Sequence, residues 1–232
     1  MSIKDQLKSA TDTILSTPWD ERDGTVVPTS DSIKLAGGAV RLDATLLYAD
    51  LRDSTTISMG DKRVAAKLFK CFLGGCSRII RHNGGEIRSF DGDRVMGVFL
   101  GGTKNTDAAK SALKINWFVV NVLRPKFKEK YSKFSDGTYK INHCTGVDTS
   151  SVLVVRAGIR DNNDLVWVGR APNVAAKLSD RTDAASYISP QVYNAMLESS
   201  KISSDGSPMW KRFSWPGGPI EAFYRSDWTW VP

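Results

Sequence analysis

Residues 86–100 constrain the fold more than any other stretch of the chain. Two short runs, EIRSF (86–90) and RVMGVFL (94–100), flank Asp91-Gly92-Asp93. A glycine beside aspartate between β-prone runs is a strong hairpin signal. A helix precedes it: Val64, Leu68, Phe69, Phe72, Cys76 and Ile79 define a stripe at helical spacing, and Asn83-Gly84-Gly85 stops the pattern. Upstream, ATLLYAD (44–50) reads as a buried strand closed by a carboxylate. Downstream, Asn105 reads as the N-cap of a second long helix that Arg124-Pro125 ends after Leu123. INHCTGVD (141–148), SVLVVRAGI (151–159) and DLVWVG (164–169) follow as strands.

This order, β-α-β-β-α-β with a further strand, predicts an α+β, ferredoxin-like core: a mostly antiparallel sheet with both helices on one face. Shorter pieces complete the chain: a helix from Ala171 to Ser179, a strand at 187–189, a helix from Pro190 to Leu197, and strands near 210–214 and 220–225. Before the core, residues 3–17 read as a helix, and 18–42, rich in Gly, Pro and Asp, as an extended lead-in with little regular structure. The expected division is a lead-in over 1–42 and one domain over 43–232.

Composition narrows the class. At 41% hydrophobic and 25% charged residues, 232 residues bury a sizeable core, which excludes wholesale disorder. The longest apolar stretch, Trp117 to Leu123, is interrupted by Asn121, so no membrane span is expected. Charges inside the N-terminal MSIKDQLKSATDTIL make it an amphipathic helix rather than a signal peptide. Cys71, Cys76 and Cys144 form no even framework and no metal-ligand spacing, which favours a reducing, cytoplasmic setting. The net charge of +7 is scattered. Its densest stretch, Arg124 to Lys133, contains a glutamate and reads as a solvated helix end and loop, not a nucleic-acid surface.

Two carboxylates stand out. Asp50 closes the first core strand, and Asp93 lies in the hairpin turn. Neighbouring first and third strands bring them together, and close carboxylates repel unless a cation sits between them. One reading is a hard divalent-metal site for Mg²⁺ or Mn²⁺; the other is turn chemistry beside a strand terminus. The segment LRDSTT (51–56) has the polar, small composition of a turn whose backbone N–H groups cradle phosphates, or of an ordinary turn. In VGRAPNVAAKL (168–178), Asn173 and Lys177 are four apart on one helix face, placed to hold a ribose and a phosphate or simply to face solvent.

Taken in order, these pieces resemble the catalytic domain of the class III nucleotidyl cyclases. LLYADLRDST is similar to the family's first metal motif, and Gly92 to Phe99 (GDRVMGVF) closely matches its hairpin motif. Gly169 to Leu178 matches the family's Asn-containing helix, with Lys177 in place of arginine, and His143-Cys144-Thr145-Gly146 stands where the family has a strand ending His-Thr-Gly. The departures matter too. Where purine cyclases carry their base readers, this chain has Ser89 and Val166, so ATP or GTP specificity is not supported. The lead-in TPWDERDGTVVP followed by LYADLRDST resembles instead the pyrimidine cyclases of the bacterial Pycsar antiphage system, which make cyclic UMP or cyclic CMP. That resemblance, rather than any residue argument, favours UTP over CTP.

The resemblance implies an intramolecular phosphoryl transfer on a pyrimidine nucleoside triphosphate. Two divalent ions, Mn²⁺ or Mg²⁺, would be held by Asp50, Asp93 and the Leu51 carbonyl. The turn of Arg52, Asp53, Ser54 and Thr55 would bind phosphates, with Lys211 or Arg212 as a clamp. Asn173 would orient the ribose and Lys177 would face the α-phosphate. Ser89, Val166, Trp167 and Tyr48 would line the base pocket. Sites would form between the subunits of a head-to-tail homodimer, and a separate cyclic-nucleotide-activated effector would read the product. The rival readings are an ordinary adenylate or guanylate cyclase and a non-catalytic, cyclase-like nucleotide-binding module.

Overall fold

The expected βαββαβ order is present in the computed structural model, which describes all 232 residues. The chain begins with α1 (Ile3–Ser16), β1 (Asp20–Asp23), β2 (Gly38–Arg52), α2 (Ser54–Gly60), α3 (Lys62–His82), β3 (Glu86–Asp91) and β4 (Arg94–Phe99). Next come α4 (Lys104–Phe118), a π-helical turn (Val119–Leu123), α5 (Arg124–Lys130) and α6 (Ser132–Ser135). The remainder is β5 (Asn142–Ile159), β6 (Asn162–Gly169), α7 (Arg170–Ser179), β7 (Ser186–Ile188), α8 (Pro190–Ala195), β8 (Lys211–Ser214) and β9 (Ala222–Ser226). Two units result, Met1–Asp43 with Ser151–Gly169, and Ala44–Ser150 with Arg170–Pro232. Strands β2 and β5 run through both.

In the larger unit the strands lie in the order β3-β4-β2-β5-β7-β9-β8. β2 and β4 are antiparallel, with Thr45 opposite Phe99 and Ala49 opposite Val95. Alternation along β2 then sorts its residues. Leu47, Ala49 and Leu51 enter a core with Leu68, Phe72 and Ile80 of α3 and Leu113 and Ile115 of α4. Tyr48, Asp50 and Arg52 therefore face the other way. That second face is covered by α7, whose Val174 and Leu178 pack with Cys144 of β5, Tyr187 and Phe223. Gly146 of β5 permits this contact: a Cβ there would lie 2.1 Å from the Ala175 carbonyl oxygen and 2.5 Å from the Ser179 nitrogen.

Four expectations are corrected. Asn105 is not a cap; α4 starts at Lys104 after an N-cap at Thr103, and buried Asn105 accepts the Thr45 hydroxyl at 2.9 Å. Arg124-Pro125 does not end the helical run, because the chain passes through the π turn and Pro125 falls in the first turn of α5, where its missing N–H costs nothing. Strands 141–148 and 151–159 are one strand, β5. Its polar middle is tolerated because the fully buried Asp148 is paired with Arg170 at 3.2 Å. The lead-in is not irregular throughout. In the smaller unit β1 pairs in parallel with residues 38–41 of β2, and Arg41 spans Glu21 and Asp23. The sequence DERD carries no strand signal, so backbone pairing imposes this one.

His143 sits on β5 with both ring nitrogens buried and without hydrogen-bond partners. Burial, and then the charges of Arg124 and Arg52, push its pKa down to about 3 from an ordinary 6.5. The unfolded chain thus takes up a proton as pH falls below 6.5, and the folded chain does not until about 3. Stability is accordingly lost on acidification through that window, by about 1.4 kcal/mol per pH unit from this group. A His143→Asn variant is expected to lose less stability between neutral and mildly acidic pH than wild type in urea titrations; an unchanged pH slope would remove His143 from the acid sensitivity.

Candidate active site

The β3–β4 hairpin has a two-residue loop, Gly92-Asp93, with Asp91 paired to Arg94. Gly92 has φ of +60°, the left-handed value that a tight hairpin of this hand needs at its first loop position. Continuing the β2–β4 register one step past Ala49 and Val95 sets Asp50 opposite Arg94, with Asp93 just beyond. The two carboxylates are close enough that the charge of Asp93 helps raise the Asp50 pKa. Burial is the larger cause of that rise, and Arg94 opposes it.

Arg94 is the member of this cluster that sequence reasoning missed. Its Nε and Nη2 donate to Asp50 Oδ2 at 3.1 and 2.9 Å, and Nη2 also donates to Asp180 Oδ1 at 2.6 Å. A guanidinium thus supplies the positive charge that two approaching carboxylates require. Asp93 Oδ2 remains buried without a hydrogen-bond partner. That orphaned oxygen, the Asp50 carboxylate and the Leu51 carbonyl across from Asp93 are all hard oxygen donors, so the residues present fit Mg²⁺ or Mn²⁺. No cluster of three or more His, Cys, Asp or Glu side chains is placed to hold a metal ion. Arg94→Met is expected to cost about 2 kcal/mol, because it leaves a half-buried carboxylate without its charged partner. The urea midpoint reads that loss. The same variant should bind Mn²⁺ more tightly in an electron-paramagnetic-resonance titration, since a competing cation has gone.

Next to this pair runs a row of side chains. Ser89 of β3 is opposite Met96 of β4, and Met96 is opposite Tyr48 of β2. Cross-strand partners share a face, so Ser89, Met96 and Tyr48 stand beside Asp50. The Tyr48 hydroxyl donates to Met96 Sδ at 3.2 Å, and burial raises its pKa. Met96 was not anticipated, although its place in the GDRVMGVF run carries it to this face.

On α7, Asn173 and Lys177 are exposed at i and i+4, and exposed Asp180, just past the helix end, continues their stripe at i+7. The stripe ends at the carboxylate bonded to Arg94. Asp53, at φ of +59°, precedes α2, where Ser54 and Thr55 form the first turn. The Arg52 side chain reaches the Thr182 and Ala184 carbonyls. Lys211 and Arg212 are exposed on β8, the last strand of the sheet order. Val166 and Trp167 lie on β6 of the smaller unit, opposite Val155 and Val154 of β5.

No family model matches the sequence. Solved structures similar to the chain are the adenylyl cyclase CyaB from P. aeruginosa and the guanylyl cyclase Cya2. CyaB gives a TM-score of 0.66 at 21% identity over 81% of this chain and 95% of that one. Cya2 gives 0.59 at 20% identity over 83% and 95%. The fold is that of the class III cyclases. Among curated proteins, a uridylate cyclase from Rhodovulum sp. (strain MB263) is 44% identical over 93% of this chain and 91% of its own length. Uridylate cyclases from Xanthomonas perforans and Burkholderia cepacia are 40% and 38% identical, each over at least 99% of both chains. Identity at that level along the whole length places the chain in the uridylate cyclase family.

Proposed function

We propose that the chain converts UTP into 3′,5′-cyclic UMP and pyrophosphate, as a second-messenger synthase of bacterial antiphage defence whose product a separate effector reads. One observation carries the reading: past the Ala49–Val95 pair of β2 and β4, Asp50 and Asp93 come close enough for their charges to interact, and Asp93 keeps a buried, unpartnered oxygen, next to the row of Ser89, Met96 and Tyr48.

In the reaction, the ribose 3′-oxygen attacks the α-phosphorus in line, the 3′-hydroxyl proton passes to water, and the bond from the α-phosphorus to the bridging β-phosphate oxygen breaks to release pyrophosphate. Asp50, Asp93 and the Leu51 carbonyl would hold the divalent ions, which would supply Lewis acidity toward the 3′-hydroxyl and neutralise charge on the phosphates. Asn173 orients the ribose. Lys177 faces the charge that grows on the α-phosphate, a role whose removal typically costs about 10²–10³ in rate. The 52–55 turn takes the terminal phosphates. Both half-sites lie in one chain, and the Asn173 and Lys177 stripe faces outward, which supports a head-to-tail homodimer with two equivalent sites.

Incubating the protein with each of the four nucleoside triphosphates and Mn²⁺ tests the reading. Cyclic UMP is expected as the main product; cyclic AMP or cyclic GMP in its place would sink it. Ser89→Lys should weaken UTP turnover without creating efficient ATP use, because it brings a long cation into the row beside Met96 and Tyr48. Such a loss is expected between about 10- and 200-fold, the range of a changed pocket wall. Turnover of UTP equal to wild type would take Ser89 out of the base pocket.

A further inference from the structure

Helix α3 carries charge of one sign. Residues 62–85 hold six Lys or Arg side chains and no Asp or Glu, so this stretch supplies +6 of the chain's net +7. Along the sequence that charge is dispersed, because the cations fall three, four or eight residues apart. The helix gathers them. Ala65, Leu68, Phe72, Cys76, Ile79 and Ile80 turn into the core. On the opposite side Arg63, Lys67, Lys70, Arg78 and Arg81 are all exposed. At 100° per residue these five lie within about 80° of one another, in a row about 27 Å long. We propose that this row is a docking surface for the phosphate backbone of double-stranded DNA.

The row has no counter-charge of its own. None of its five cations forms an ion pair. Arg78 Nη1 donates to the Gly74 carbonyl at 3.0 Å, a neutral acceptor. Like charges three or four apart on a helix repel, and the flanking acids pair with none of them. Asp61 caps the helix by accepting the Arg63 and Val64 N–H groups at 3.0 Å, and Glu86 lies past its end on β3. Helix α1 is built differently: it interleaves Lys4 and Lys8 with Asp5 and Asp12, the mixed pattern of a face that need only be soluble.

Cations on α5 widen the row. A groove of about 730 Å³ has Lys67 and Cys71 of α3 on one bank and Lys126, Glu129, Lys130 and Tyr131 on the other. Glu129 is its one carboxylate, and Lys126 meets that charge at 3.4 Å. Lys130 is left to add its charge to that of Lys67. Alone, the Arg124–Lys133 stretch is a solvated helix end; with α3 across the groove it flanks a larger cationic surface.

What the row lacks selects the partner. Protein interfaces need aromatic or aliphatic anchors at a dry centre, and a helix on a membrane surface turns its apolar face outward. None of the large exposed hydrophobic residues lies on α3, whose apolar face is buried. Single strands are held by stacking bases on aromatic rings, and duplex RNA through its 2′-hydroxyls; a row of Lys and Arg supplies neither kind of contact. It suits a polyanion met by charge alone. Duplex DNA carries one negative charge per about 1.7 Å of axis, so the row spans about eight base pairs. Phosphates carry no sequence information, and the docking is therefore independent of sequence.

Fluorescence anisotropy of the full chain with a labelled duplex of about 20 base pairs, without UTP or divalent metal, tests this apart from the activity. Binding in the micromolar range at physiological salt is expected. The logarithm of the affinity should fall against that of the salt concentration with a slope of about −4 to −5, roughly 0.9 for each phosphate neutralised. Lys67→Gln with Lys70→Gln should weaken binding at least about tenfold and make that slope shallower by about 2. Lys4→Gln with Lys8→Gln makes the same change in net charge on α1 and should leave the affinity within about twofold. Circular dichroism confirms that both variants fold. No binding, an equal loss in both variants, wild-type affinity in the α3 variant, or a preference for a single strand, duplex RNA or anionic lipid vesicles overturns the proposal.

Discussion

Asp93→Ala is expected to abolish cyclisation while leaving the fold as stable as wild type or slightly more stable. Asp93 Oδ2 is buried without a partner, so its removal relieves a desolvated, unsatisfied oxygen instead of breaking a native contact. A residue whose loss helps stability and destroys activity is held in place for function. Asp50→Ala should be equally inactive and somewhat less stable, because Arg94 loses the carboxylate to which it donates twice. Both variants are to be compared by cyclic UMP formation and by urea midpoint. Either one keeping more than about a tenth of wild-type activity, a barrier change under about 1.4 kcal/mol, would show that it is not a ligand of the reacting centre.

Mixing two inactive variants should restore activity. Asp93→Ala spoils the carboxylate half of each site and Asn173→Ala the α7 half. In a head-to-tail homodimer a mixed pair assembles one site from two intact halves and one from two damaged halves. Random exchange of equal amounts leaves about a quarter of all sites intact, so about a quarter of wild-type activity should return. Exchange without recovery would place Asp93 and Asn173 of one chain in the same site, and the homodimer would then have no role in assembling it.

Much of the frame was legible in the residues because it rests on local physics. The stripe from Val64 to Ile79 has one helical period, and α3 forms over Lys62–His82 with that stripe inward. Gly92 admits the φ that a two-residue hairpin needs, and the turn sits there. The same local rules failed where a partner from elsewhere in the chain decided the outcome. Asn105 has the composition of a cap, yet the Thr45 hydroxyl draws it inside. Thr149-Ser150 reads as a break after Asp148, yet Arg170 pairs with the buried Asp148 carboxylate and β5 runs on.

The sequence by itself determined the βαββαβ order, the hairpin that carries Asp93, the strand that carries Asp50, and the helix face shared by Asn173 and Lys177. Each follows from a period or a turn preference within a few residues. Only the tertiary structure decided that Arg94 bridges Asp50 and Asp180, residues 44 and 86 positions away, and that Met96 joins Ser89 to Tyr48. It alone also set Lys126 and Lys130 across one groove from Lys67. The physical reason is range. Periodicity reports which face of an element seeks the core, whereas charge pairing and cavities depend on distances between elements, and strand register fixes those only when the sheet closes.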